Sequence, residues 1–347
     1  MFNERAIRQL DVVEFVEKDQ VMRAYACQSG ATWGIDRIDQ QNLPLNNHYC
    51  YPDANGAPGT GANAYIIDTG NRNTHSDFGD RFKSGYDFHN NKPDATVDNG
   101  HGTHVASTTG GTTWGVAKNA TLYGVKVLGA FGSGSTTNVV AGVDFTASQH
   151  RASNNKKTVA NMSLGGGASA AMDNAVNAAV SAGVSFALAS GNSNANACNS
   201  SPARVGGPSG TSVTANAADN RDARASFSDF GTCTDIFAPG LSITAAWHTS
   251  DTQNNTISCT SIASPHVCGA MAVSLGRTPS GDCVNLLRVV VAGALDLAPC
   301  FSPTLGGIFF ISSILFLWLC CERGLPGFNT GYFFSFFFFS SLVVVFI

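Results

Sequence analysis

Short apolar runs bounded by turn residues alternate along the chain with stretches of helical periodicity. The runs are Ala64–Gly70 (AYIIDTG), Thr121–Leu128 (TLYGVKVL), Thr158–Leu164 (TVANMSL) and Gly183–Ala189 (GVSFALA), the pattern of buried strands. Between them, His101–Thr109, Asn138–Gln149 and Ala170–Ala182 place apolar residues at helical spacing. Strands alternating with helices predict an α/β fold with a mostly parallel, doubly wound sheet and right-handed crossovers. Ligands bind such sheets at the carboxyl ends of the strands. Asp68 and the Ser163–Gly167 run fall where two strands stop.

The chain ends break this rhythm. Residues 10–26 (LDVVEFVEKDQVMRAYA) alternate like a strand that leads into a basic tail. Residues 305–321 and 331–347 are continuous apolar runs, each long enough for a short membrane span. Twelve of the 23 Phe lie beyond residue 300, with Glu322 and Arg323 the only charges there. Two readings of this tail stand: membrane segments, or translated non-coding sequence from a faulty gene model.

Charge narrows the function classes. With 347 residues, 13% charged and a net charge of −4, the chain has no broad basic footprint, which argues against nucleic-acid binding. The ten Cys are scattered without a CxxC pair, which disfavours a zinc knuckle and fits an oxidising compartment. The opening MFNERAIRQLDVVEF carries charges where a signal peptide needs an apolar stretch.

Three local signals carry chemistry. Asp68 ends an apolar strand, Asn99–Ala106 (NGHGTHVA) opens one helix, and Cys259–Gly269 (CTSIASPHVCG) opens another. A hydroxyl nucleophile needs a base, and the base needs a carboxylate to fix its tautomer. A Ser at a helix N-terminus also has free backbone N–H groups beside it for a developing oxyanion. Ser261, His101 and Asp68 can fill these roles. Each signal also has a plainer reading: Asp68 as a turn residue, His101 with His104 as metal ligands lacking a third partner, Ser261 as a helix cap.

Taken together and in order, these segments resemble the subtilisin-like serine proteases, in particular the proteinase K-like branch and its aqualysin-type members. The likeness runs from about residue 11 to 275 through Tyr65–Gly70, Asn99–Ala106, Asn161–Gly167 (NMSLGGG), Ala189–Asn192 (ASGN), Ala225–Gly240 and Thr260–Val267. It implies a three-layer α/β/α fold and a secreted, monomeric endopeptidase of broad specificity acting on protein and peptide substrates. In that reading Asp68 orients the base, His101 is the base, Ser261 is the nucleophile and Asn192 donates to the oxyanion. Gly132, Ser133 and Gly134, with Ser163, Leu164, Gly165 and Gly166, would flank an extended substrate.

The resemblance also implies calcium as a structural ion, with Asp36, Asp39, Gln40 and Asn46 at one site and Asp235 at a second. It implies a Cys198–Cys233 disulfide. A second family bridge would need Cys where Asp98 and Ala130 stand. Residues 1–26 resemble the end of an inhibitory, chaperoning propeptide, with the junction near Ala26/Cys27 and the true start upstream of Met1. Residues 27–300 would be the peptidase domain, its closing elements incomplete after about 275, and 301–347 the tail.

Departures from the family pattern are Cys259 for Gly, Ile262 for Met, Cys268 for Ala, and the Gly206–Gly210 stretch (GGPSG). If the turn before the nucleophile needs a positive φ, the Cβ of Cys259 costs on the order of 1 kcal/mol. Two further functions therefore stand beside the active endopeptidase: a catalytically impaired homologue that only binds extended peptides, and a protease tethered to a membrane by the tail.

Overall fold

In a computed structural model the described residues are 16–17, 25–52, 58–95, 97–277 and 345–346. The chain divides into two units. In one, Val16–Glu17 pairs in parallel with Val345–Phe346. The other runs from Tyr25 to Leu315 and holds everything that follows. The apolar tail segments and residues 278–300 lie outside the described residues, apart from that short ladder.

The larger unit opens with β1 (Tyr25–Ser29), α1 (Trp33–Arg37) and β2 (His48–Pro52). A central sheet is then built from β3 (Asn63–Asp68), β4 (Phe82–Asp87), β5 (Thr121–Lys126) and β6 (Thr158–Met162). After the short β7 (Gly166–Gly167) come β8 (Ser185–Ala189), the short β9 (Ser200–Ser201), β10 (Val213–Ala218) and β11 (Ile236–Pro239). The seven sheet strands lie in the order β11-β10-β8-β6-β3-β5-β4 and every pairing is parallel. Short antiparallel pairs, β1 with β2, β7 with β9, and β12 (Ile243–Ala246) with β13 (Asn254–Ile257), stand outside it.

Helices cover both faces, as parallel sheets require. Ala64 and Ile66 of β3 join the core under α2 (Gly100–Gly110) and α5 (Thr260–Arg277). Tyr65 and Ile67 join the opposite core under α3 (Thr136–Ala152) and α4 (Ala170–Ser181). Alternation along one strand thus feeds both layers. Burying side chains such as Ile66, Ile67, Leu122 and Phe186 completely contributes about 1.5–3 kcal/mol each relative to exposure.

The helices start where side chains cap them. Asn99, Ser135 and Ser169 accept from backbone N–H groups in the first turns of α2, α3 and α4. The strands and helices expected between residues 64 and 189 are present, displaced at their ends by a few residues, whereas most of the strand-like stretch 10–26 lies outside the described residues. The Gly206–Gly210 stretch closes on itself through Gly210 N–H to the Gly207 carbonyl and Thr211 N–H to the Val205 carbonyl. It then feeds the fully buried β10. None of the described helices is long and apolar enough to cross a membrane.

Candidate active site

The carboxyl end of β3 delivers Asp68 into the interior, where it is fully buried. Its Oδ1 lies 2.8 Å from His101 Nδ1 and also accepts the Thr69 N–H at 2.7 Å. His101 sits in the first turn of α2, whose cap Asn99 accepts the His101 N–H at 2.9 Å and donates its own amide to the Ala130 carbonyl. Gly102 lets the helix close on β3. A Cβ there would lie 2.4 Å from the Gly70 carbonyl oxygen and 3.2 Å from Asp68 Oδ1. Burial alone would push His101 down, but the charge and hydrogen bond of Asp68, with a contact from Cys259, lift it from 6.5 to about 10.

His104, one turn on, is no partner in a metal site. It is fully buried and its Nε2–H donates to the Ile243 carbonyl at 3.0 Å. Burial pushes it down to about 3, so it is a neutral core histidine. Among the described residues no group of three or more His, Cys, Asp or Glu could hold a metal ion.

Ser261 enters from the first turn of α5. Pro265 lies inside that helix and has no N–H to give the carbonyl four residues back. That carbonyl belongs to Ser261, and it accepts the Ser163 hydroxyl at 2.5 Å instead. Asn161 holds Ser163 from the other side, donating to its Oγ at 2.8 Å while accepting from Ser264 at 2.6 Å. A buried polar chain therefore ties β6 to the turn carrying Ser261.

Asn192 lies on the exposed turn after β8. Its Oδ1 accepts both the N–H and the hydroxyl of Thr260, at 2.8 and 2.9 Å. With the carbonyl end committed, the amide nitrogen is left to donate elsewhere. Gly191 is required here: its φ is +114°, and a Cβ would fall 2.2 Å from Asp229 Oδ2. Asp229 Oδ1 gathers the turn by accepting from the Ser193 and Ala195 N–H groups. Asn192, Ser261, Leu164, Gly165 and Gly166 line a cavity of about 380 Å³.

Cys259 connects the two halves of the site. Two residues before Ser261, its side chain is near enough to the His101 ring to add to the rise that Asp68 causes in the base. Cys259 takes part in no disulfide. Cys259 is absent from the positive-φ residues, so the backbone strain expected of a Cβ at this position does not arise. What it changes is the neighbourhood of the base.

The remaining predicted positions divide. Gly132 (φ +71°), Ser133 and Gly134 are exposed beyond the end of β5, outside the residues lining the cavity. Gly166 lines the cavity and pairs with Ser201. Cys198 and Cys233 form a disulfide. Cys27 and Cys50 form another, which spacing alone could not reveal and which β1–β2 pairing brings about.

In the α1–β2 region, Asp39 Oδ1 and Gln40 Oε1 are buried oxygens without a hydrogen-bond partner. Burial, with the Asp36 charge nearby, raises Asp39 to about 6. These two side chains fit a hard cation. The other two fit less well, because Asp36 already accepts the Asn46 and Asn47 N–H groups and Asn46 accepts from His48. Asp235 Oδ2 takes the Gly207 and Thr214 N–H groups, each at 2.8 Å.

Proteins of similar sequence and fold identify the family. The model of the subtilase family matches residues 59–298. An extracellular serine proteinase of Thermus sp. (strain Rt41A) is 48% identical over 303 residues, which span 86% of this chain and 71% of that protein. The alkaline serine exoprotease A of Vibrio alginolyticus is 53% identical over 288 residues, 81% of this chain and 51% of that protein. The crystal structure of a cold adapted subtilisin-like serine proteinase matches with a TM-score of 0.69 and 50% identity, covering 76% of this chain and 92% of that one. The chain belongs to the subtilase family of serine-type endopeptidases.

Proposed function

We propose that this chain is a secreted endopeptidase of broad specificity in which Asp68, His101 and Ser261 work as one unit. Ser261 Oγ attacks the scissile carbonyl while His101 takes its proton, and Asp68 holds the ring in the needed tautomer. The Asn192 amide and the Ser261 N–H stabilise the oxyanion. His101 then protonates the leaving amine, and water releases the acyl group by the reverse sequence.

The observation that carries this reading is the 2.8 Å pairing of His101 with a fully buried Asp68. The influence of Cys259, two residues before Ser261, on the same ring supports it. Substrate would lie extended between Gly132–Gly134 and Ser163–Gly166, where Gly-rich backbone exchanges ladder hydrogen bonds and reads few side chains. The test is hydrolysis of denatured casein by the parent and by Ser261→Ala. Activity in the parent alone supports the reading, and equal activity in both overturns it.

Cys259 favours a second reading. A thiol beside His101 competes with Ser261 for the base, as in a homologue that binds peptides and cleaves them poorly. A folded parent that binds casein without cutting it would select this one.

Calcium belongs to the proposal as a structural ion held by Asp39 and Gln40, with Asp36 and Asn46 around them and Asp235 at a second site. Asp39→Asn should remove any calcium-dependent rise in thermal midpoint. Residues 1–26 are proposed as the end of an inhibitory propeptide, released near Ala26/Cys27. That bond lies within β1, so N-terminal sequencing of mature material should begin at or beside Cys27, held by the bridge to Cys50.

A further inference from the structure

Lys126, the last residue of β5, is completely buried. Burying an ammonium is expensive unless each of its protons finds an acceptor. Here all three do. Nζ donates to the Thr69 carbonyl at 2.7 Å, to Asp98 Oδ1 at 2.6 Å and to the Leu128 carbonyl at 2.7 Å.

The three acceptors belong to three different working segments. Thr69 follows Asp68 at the end of β3. Asp98 immediately precedes the Asn99 cap that orients His101. Leu128 begins the passage into Gly132–Gly134. The same junction is laced elsewhere: the Val127 and Leu128 N–H groups both reach the Asp68 carbonyl, and Thr69 Oγ1 accepts the Gly102 N–H at 3.0 Å. Lys126 supplies the only charged contact in this set of bonds. Its donors radiate from one atom, which the planar fork of an arginine does not reproduce.

We propose that Lys126 is a positioning residue that sets the Asp68–His101 pair and the Gly132–Gly134 edge in a common register. It acts through the groups it holds and touches no substrate. The proposal rests on the peptidase reading above and extends it. The Asp98 arm serves the base, whereas the Leu128 arm serves substrate, so the two arms separate kinetically.

The test compares the full-length parent with Lys126→Met, Lys126→Arg and Asp98→Asn. Thermal midpoints establish folding, peptide hydrolysis gives kcat and KM, and low-field proton NMR follows the His101 Nδ1–H. A displacement near 1 Å at such a site costs roughly a hundred-fold. Lys126→Met should therefore lose about that much in kcat and raise KM several-fold, and Lys126→Arg should not restore either. Asp98→Asn should lower kcat roughly ten-fold with KM unchanged.

A folded Lys126→Met with parental kcat, KM and proton shift overturns the proposal. If Lys126→Met does not fold, Asp98→Asn decides, because its carboxylate is partly exposed: a parental kcat there overturns it. If the parent cleaves nothing, the peptidase reading fails separately. The proton signal then decides, being shifted in Lys126→Met and Asp98→Asn if the proposal holds and unmoved if it does not.

Discussion

Between Ser258 and Thr260 a thiol occupies the approach to Ser261, and it reaches the His101 ring. His101 must be neutral to act as a base, yet Asp68 and Cys259 together raise it to about 10 against the opposing effect of burial. The ordinary value is 6.5, so the stabilisation from this pairing is fully present below about 6.5. It is lost as pH climbs through about 10. Activity should run the other way, rising with pH over the same interval. Cys259→Gly removes the Cys259 share of that rise, so the acid limb of kcat/KM should move to lower pH. At pH 7 each unit of that movement multiplies the neutral fraction about ten-fold. An unmoved limb in a pH–rate profile would show that the thiol does not bear on the base. Asn192→Ala should lower kcat by roughly 10²–10³ with little change in KM, a figure that comes from subtilisin, a member of this family, and not from this geometry. Loss of KM alone would make Asn192 a turn residue.

At the scale of elements, the site depends on how closely α2 can approach β3. Gly102→Ala places a methyl against the Gly70 carbonyl, so the first turn of α2 must move and carry His101 with it. The fold should survive while kcat/KM falls about a hundred-fold. A parental rate, measured beside an unchanged thermal midpoint, would contradict this account of the helix. The central strands were legible because a parallel strand covered on both faces has a continuous apolar run, as in residues 64–67 and 186–189. Strand β4 (FKSGYD) was not, since its exposed and half-exposed middle leaves no periodic signal at the sheet edge. The order Asp68, His101, Ser261 was legible from local motifs. Lys126 was hidden, because a lysine within TLYGVKVL reads as a polar interruption until the ends of β3 and α2 are brought around it. Thr260 and Asp229 were hidden likewise, since their roles exist only across the turns they join.

At the scale of the whole molecule, two disulfides among the described residues secure segments that the central sheet does not. Cys27–Cys50 closes a separation of 23 residues and Cys198–Cys233 one of 35. A loop of that size constrains the unfolded chain by about 3 kcal/mol. Replacing Cys27 and Cys50 together by Ser should lower stability by that order, and an unchanged denaturation midpoint would show the bridge to be inert. The expectations for the tail, as membrane segments or as a gene-model fault, lie outside the described residues. The central claim concerns Ser261, and a fluorophosphonate probe tests it most directly, because such a probe is captured only by a serine that an assembled base has activated. The full-length chain should be labelled, with the adduct mapped by mass spectrometry to Ser261 and labelling lost in Ser261→Ala and His101→Ala. A folded chain left unlabelled, or labelled equally in all three proteins, would contradict the account.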